Sequence, residues 1–123
     1  MTVLSNKTVL ILEDEPLIAL VAEEYVKRLG AGRVVRVSSV DKAAAILRDE
    51  PIDAALFDSN SEGQASFSLA HQSWALGKAT VVAGNQTEGG DDTFSATAKP
   101  YSLEHLEQAF QSAFSRLPGH RVV

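Results

Sequence analysis

A chain of 123 residues with 45% hydrophobic residues suits one domain around a single core and is too apolar for a disordered chain. The net charge of −5, with eleven scattered Lys and Arg, argues against a surface tracking nucleic-acid phosphates and against an anionic membrane partner; no apolar run approaches a membrane span. The absence of cysteine excludes disulfides, thiolate zinc sites and thiol nucleophiles, and the start MTVLSNKTVLILEDE is not a signal peptide, so a cytoplasmic protein is expected.

Along the chain, strand-like and helix-like patterns alternate. Thr8–Leu12 is a continuous apolar run, as expected of a parallel strand covered on both faces. Leu17, Ile18, Val21, Ala22, Tyr25, Val26 and Leu29 then recur at helical spacing, with Pro16 in the first turn and Gly30 as the stop. Val34–Val37 predicts a short strand. Ser39 is placed to cap a helix through Ala43, Ala44, Ile46 and Leu47 that ends before Pro51. A third strand is expected over Ile52–Phe57, running directly into Asp58. Gln64–Leu76 predicts a weaker helix with Phe67, Ala70 and Trp74 on one face and Gly77 as its stop, followed by a strand at Ala79–Ala83. GNQTEGGDD is too rich in Gly and polar residues for more than a turn or two of helix. Phe94–Ala98 is a short strand candidate. The last helix is the clearest, with Ser102 as cap, Leu103, Leu106, Ala109, Phe110, Ala113, Phe114 and Leu117 on its apolar face, and Pro118-Gly119 as its end.

Five strands alternating with helices predict a doubly wound α/β domain, a parallel sheet with helices on both faces, because crossovers between parallel strands are right-handed. Sites in such sheets form at the carboxyl ends of the strands, at the switch point in strand order. Glu13 and Asp14 follow the first strand, Asp58 the third and Lys99 the fifth, while Ala83 and Gly84 close the fourth. Three carboxylates and one ammonium should therefore meet on one rim. Crowded like charges raise one another's pKa unless a cation joins them, and an all-oxygen site suits Mg²⁺. With a metal and a lysine offsetting charge on the transferring oxygens, Asp58 is placed to attack a phosphoryl group and form an aspartyl phosphate.

VLILEDE, DAALFDSN and AKPY, in this order and spacing, resemble the three signature stretches of the response-regulator receiver domain of bacterial two-component signalling. The resemblance covers about residues 7–117 and leaves 118–123 as a short tail. It implies a flavodoxin-like (CheY-like) (βα)5 fold with strand order 2-1-3-4-5, and Asp58 as phosphoacceptor. Glu13, Asp14 and Asp58, with the backbone carbonyl of Asn60, would hold Mg²⁺. Lys99 would pair with the phosphoryl group, and the Lys99–Pro100 bond is often cis in the family. The implied donor is a histidine kinase or a phosphotransfer protein, and the downstream protein is of no class the sequence specifies; nor does the sequence specify an oligomeric state. With only six residues after Leu117, the expectation is a signalling switch or phospho-relay element without an attached output domain.

Two positions depart from the family. Receivers carry Ser or Thr at the end of the fourth strand, where this chain has Ala83, and commonly Tyr or Phe three residues before the lysine, where it has Ala96. The segment between Ala83 and Lys99 is also short, so a shortened or irregular fourth helix is expected. A hydrogen bond to a charged group is worth roughly 1.5–3 kcal/mol, so its loss would cut a phosphorylation-driven population shift by about tenfold to a hundredfold. Thr80 and Thr87 are the nearby hydroxyls that could substitute. These departures support an alternative: a degenerate receiver acting as a phosphorylation-independent interaction module. A haloacid-dehalogenase-like phosphatase would want an aspartate two residues after its nucleophile, where this chain has Asn60, and its nucleophile on the first strand. A flavodoxin-like flavin binder would need a glycine-bearing phosphate loop where this chain has EDEPL. His71, His105 and His120 lack ligand spacing and read as surface residues; Trp74, Phe110 and Phe114 read as core, and EGGDD as a solvated loop.

Overall fold

The computed structural model describes residues 2–58, 64–84, 95–97, 99 and 101–117. In chain order the elements are β1 (Thr8–Leu12), α1 (Pro16–Arg28), β2 (Arg33–Val37), α2 (Val40–Asp49), β3 (Ala54–Asp58), α3 (Gln64–Ala75), β4 (Ala79–Ala83), β5 (Ser95–Thr97) and α4 (Leu103–Ser115). The strands form one parallel sheet in the order β2-β1-β3-β4-β5. This is the doubly wound, CheY-like flavodoxin arrangement, and its order reverses between β1 and β3. The expected fourth helix and the apolar edges Phe94 and Ala98 lie outside the described residues, as do Asn60, Thr87, Pro100, His120 and EGGDD.

Each face of the sheet carries its own core. Val9, Ile11, Ala54, Leu56, Val81 and Ala83 pack with Ala22, Val26 and Leu29 around α1 and with Leu106, Ala109 and Phe110 of α4. Leu10, Leu12, Ala55, Phe57 and Val82 pack with Ala43 and Leu47 of α2 and Leu69 and Ala70 of α3. That two-sided burial explains why β1, β3 and β4 read as unbroken apolar runs rather than alternating ones.

The helix boundaries follow local chemistry. Ser39 and Ser102 accept from the main-chain N–H groups of Lys42 and His105, satisfying donors the helix leaves open. Glu15 caps α1 by accepting from Leu17 N. Gly30 and Gly77 end α1 and α3 at positive φ, 107° and 83°. In both, the glycine N–H and the next N–H return to carbonyls of the last turn, Lys27 and Val26 in one case and Trp74 and Ser73 in the other. At Gly30 a Cβ would also lie 3.1 Å from the Ser5 backbone.

Three details differ from the sequence reading. The third strand starts two residues later and includes Asp58, because Asp58 pairs in register with Ala83. The buried face of α3 is Ser66, Leu69, Ala70 and Ser73, one step round from the expected stripe, and Phe67 and Trp74 are only half-buried. Two serines can line that face because each hydroxyl has a partner: Ser66 Oγ donates to the Asp58 carbonyl at 2.9 Å, and Ser73 Oγ shares a hydrogen bond with Thr80 Oγ1 at 2.8 Å. On α1, Leu17, Leu20 and Val21 face outward at 72%, 55% and 43% exposure, so the buried stripe is Ala19, Ala22 and Val26. Phe110 is in the core as expected, Phe114 packs at its margin, and His71 and His105 are exposed.

Candidate functional site

β1 and β3 are neighbours, with Leu12 opposite Phe57, so the register carries Glu13 alongside Asp58 just where the strand order reverses. Continuing the alternation of β1 and β3, both side chains belong to the face covered by α1 and α4. Glu13 and Asp58 are 3% and 2% exposed, whereas Asp14, at the head of the β1–α1 turn, is exposed. Carboxylate oxygens of Glu13, Asp14 and Asp58 all lie within 4.8 Å of one another.

Lys99 reaches this cluster from the end of β5. Its Nζ donates to Glu13 Oε1 at 2.8 Å and lies 3.2 Å from Asp58 Oδ1. The second Glu13 oxygen accepts from the Glu15 main-chain N–H at 3.2 Å. Burial pushes the Glu13 carboxyl above its usual range, helped by the Asp58 charge and only partly opposed by the Lys99 and Glu15 hydrogen bonds. For Lys99, burial alone would lower the ammonium, but the hydrogen bond to Glu13 and the charges of Asp58 and Glu13 win and push it up. Lys99 is therefore held firmly as a cation between two buried acids.

Three carboxylates facing one ammonium leave an excess of negative charge. A donor set made only of carboxylate oxygens, without nitrogen or sulfur, fits a hard divalent cation such as Mg²⁺. A cavity of about 320 Å³ opens beside Glu13 and Asp14, with Arg36, Ser38 and Lys42 on its far wall.

All four charged residues singled out from the sequence thus converge; the Asn60 carbonyl is outside the described residues. Ala83 is fully buried, its methyl group beside Asp58, and Ala96 is exposed on β5. Thr80 is not available as a substitute hydroxyl. It lies on the opposite sheet face, bonded to Ser73 and donating to the Lys78 carbonyl at 2.9 Å.

Sequence reasoning passed over Thr97 and Tyr101. Both are buried, and among the described residues their hydroxyls are the buried side-chain polar atoms without a hydrogen-bond partner. Leaving such a group unsatisfied costs about 1–3 kcal/mol, and native proteins carry few of them. Their one sequence signal is placement two residues before and two after Lys99.

No family model matches the sequence, nor does any curated protein sequence. Solved structures do match. The solution structure of SdrG from Sphingomonas melonis Fr1 is 31% identical with a TM-score of 0.73, over 92% of this chain and 98% of that one. The BeF3-activated conformation of SdrG from Pseudomonas melonis Fr1 is 29% identical with a TM-score of 0.72, over 89% of this chain and 98% of that one. A CheY-like response regulator receiver domain from Methylobacillus flagellatus, at 23% identity, shares the fold with a TM-score of 0.75 over 89% of this chain and 99% of that one. Sheet order, convergent acidic residues, the lysine at the end of β5 and near-complete overlap with these structures agree, and the chain belongs to the response-regulator receiver domains.

Proposed function

We propose that this receiver accepts a phosphoryl group on Asp58 from a histidine kinase or a phosphotransfer protein, and passes the signal on as a switch or relay element. The observation that carries this reading is the Lys99 ammonium held between buried Glu13 and Asp58 at the carboxyl edge of the sheet. In the proposed step an Asp58 carboxylate oxygen attacks phosphorus in line. The P–O bond forms as the P–N bond to the donor imidazole breaks, and the leaving nitrogen keeps the electron pair and takes a proton from solvent. Lys99 neutralises charge on the phosphoryl oxygens, and the backbone bond from Ser66 holds the end of β3 in place. Glu13, Asp14 and Asp58, with the Asn60 carbonyl, would hold Mg²⁺, which when bound offsets the charge of the transferring oxygens. Leu17, Leu20 and Val21 expose an apolar surface on α1, the helix that directly follows Glu13 and Asp14, and this surface offers the donor protein a place to dock.

Receiver domains are in general signalling modules rather than enzymes, and no separate catalytic activity is proposed. No helix among the described residues is long and apolar enough to cross a membrane. A second reading, an interaction module that works whatever its phosphorylation state, draws on the methyl group of Ala83 beside Asp58.

Intact-mass measurement after incubation with acetyl phosphate and Mg²⁺ separates the two. A single phosphoryl adduct that is absent from Asp58→Asn supports the phosphoacceptor. No adduct on the wild type, or one that persists in Asp58→Asn, overturns it in favour of the interaction module.

A further inference from the structure

The segment that carries Lys99 also carries two buried hydroxyls that the ion-pair network does not use. Thr97 and Tyr101 are 6% and 8% exposed, and among the described residues their Oγ1 and Oη atoms have no hydrogen-bond partner. The other buried hydroxyls near the sheet, among the described residues, are engaged: Ser66 with the Asp58 carbonyl, Ser73 with Thr80, and Ser95 with the Ala109 carbonyl. Unpartnered buried donors are rare enough to need a reason, and position suggests one.

The strand register sets Asp58, Ala83 and Thr97 in one row across β3, β4 and β5. Partners in a parallel row share a sheet face, so Thr97 and Asp58 stand on the same side with only the Ala83 methyl group between them. The bond from Ser95 to α4 is consistent with that face for alternate residues of β5. Tyr101 belongs to the same core, and its phenol lies within the electrostatic reach of both Glu13 and Asp58.

We propose that Thr97 and Tyr101 supply the hydroxyl donors that answer to a phosphoryl group on Asp58, in place of the donor that Ala83 does not provide. This rests on the phosphoacceptor reading above. A phosphoryl group adds negative charge and three strong acceptor oxygens, while Lys99 is already shared between two carboxylates. A modification shifts a conformational equilibrium only through contacts made better in one state than in the other. Two donors left unsatisfied before phosphorylation and satisfied after it provide such a difference, and they transmit it directly to β5 and to the approach to α4.

The test uses Thr97→Val and Tyr101→Phe, which remove the hydroxyls and little else, with Mg²⁺ and beryllofluoride as the phosphoryl mimic. Amide NMR titration reads the affinity, and a ¹³Cζ label on tyrosine reads the Tyr101 hydroxyl. Expected are unliganded variants at least as stable as the wild type, since no bond is lost. Beryllofluoride should bind each about tenfold or more weakly, the factor carried by one hydrogen bond to a charged group. In the wild type the Tyr101 ¹³Cζ resonance should move on binding. Unchanged affinity with an unmoved resonance, while wild-type shifts vanish in Asp58→Asn, overturns this inference and leaves the phosphoacceptor standing. Variants destabilised before any ligand is added overturn it too, because the hydroxyls would then be structural. No saturable shifts in the wild type would remove the phosphoacceptor reading and this one with it.

Discussion

Lys99 and Glu13 are joined across 86 residues of chain by a 2.8 Å hydrogen bond, and the Glu13 side chain is only 1% exposed. The same ammonium sits 3.2 Å from Asp58. Removing it leaves two buried carboxylates facing each other without their cation. Lys99→Met should destabilise the metal-free protein by about 3–5 kcal/mol, the usual consequence of deleting one partner of a buried pair. Urea unfolding in EDTA measures this, and saturating Mg²⁺ should restore part of the loss. A change below about 1 kcal/mol would mean that the carboxylates are compensated in some other way.

Asp14 adds charge to this cluster from the solvent side. Two like charges about 4 Å apart repel by roughly 1 kcal/mol in water. Asp14→Asn should therefore stabilise the metal-free protein by about that amount. Mg²⁺ at ten times its Kd should stabilise the wild type by about 1.4 kcal/mol and the variant by much less. Thermal unfolding with and without EDTA checks both signs, and equal stabilisation of the two proteins by Mg²⁺ would exclude Asp14 from the metal site.

Burial, and then the charges of Glu13 and Asp58, push the Tyr101 phenol well above the ordinary tyrosine range. The unfolded chain releases that proton near pH 10, as free tyrosine does, and the folded chain does not. Below about pH 10 both states hold the proton and stability is unaffected; above it the unfolded state alone loses the proton, so stability falls as pH rises. Tyrosinate absorbance from Tyr101 should appear only together with unfolding, and Tyr101→Phe should flatten this alkaline loss. A phenol that titrates in the folded protein near pH 10 would contradict its buried placement.

Thr80 and Ser73 provide a contrasting pair of hydroxyls, bonded to each other at 2.8 Å on the far face of the sheet. Thr80→Val should cost about 1–2 kcal/mol through the Ser73 oxygen left behind. A double-mutant cycle with Ser73→Ala should show coupling of about 1 kcal/mol. Beryllofluoride affinity should stay unchanged, and a tenfold loss would return Thr80 to the site from which its position removes it.

The elements and the charged cluster were legible in the sequence because their causes are local. Apolar runs fully buried on both faces mark β1, β3 and β4, serine caps mark α2 and α4, and Gly30 and Gly77 stop their helices through the left-handed conformation that other residues resist. Alternating order then forces a parallel sheet, and the parallel sheet brings Glu13, Asp14, Asp58 and Lys99 to one edge.

Local chemistry thus accounts for the order of elements and the convergence of the acids and the lysine. Which hydroxyls find a partner depends instead on packing between elements. Thr80 and Thr97 are the same residue type on adjacent strands, yet one is bonded to α3 on one face and the other, among the described residues, is unpartnered on the opposite face, the one that carries Asp58. The α1 stripe split for the same reason, with Ala22 and Val26 meeting the sheet while Leu17 and Val21, close by on the same helix, face outward. Sheet face, register and helix rotation are set by how the elements pack against one another, and a side chain acquires its partner, or lacks one, only once they have done so.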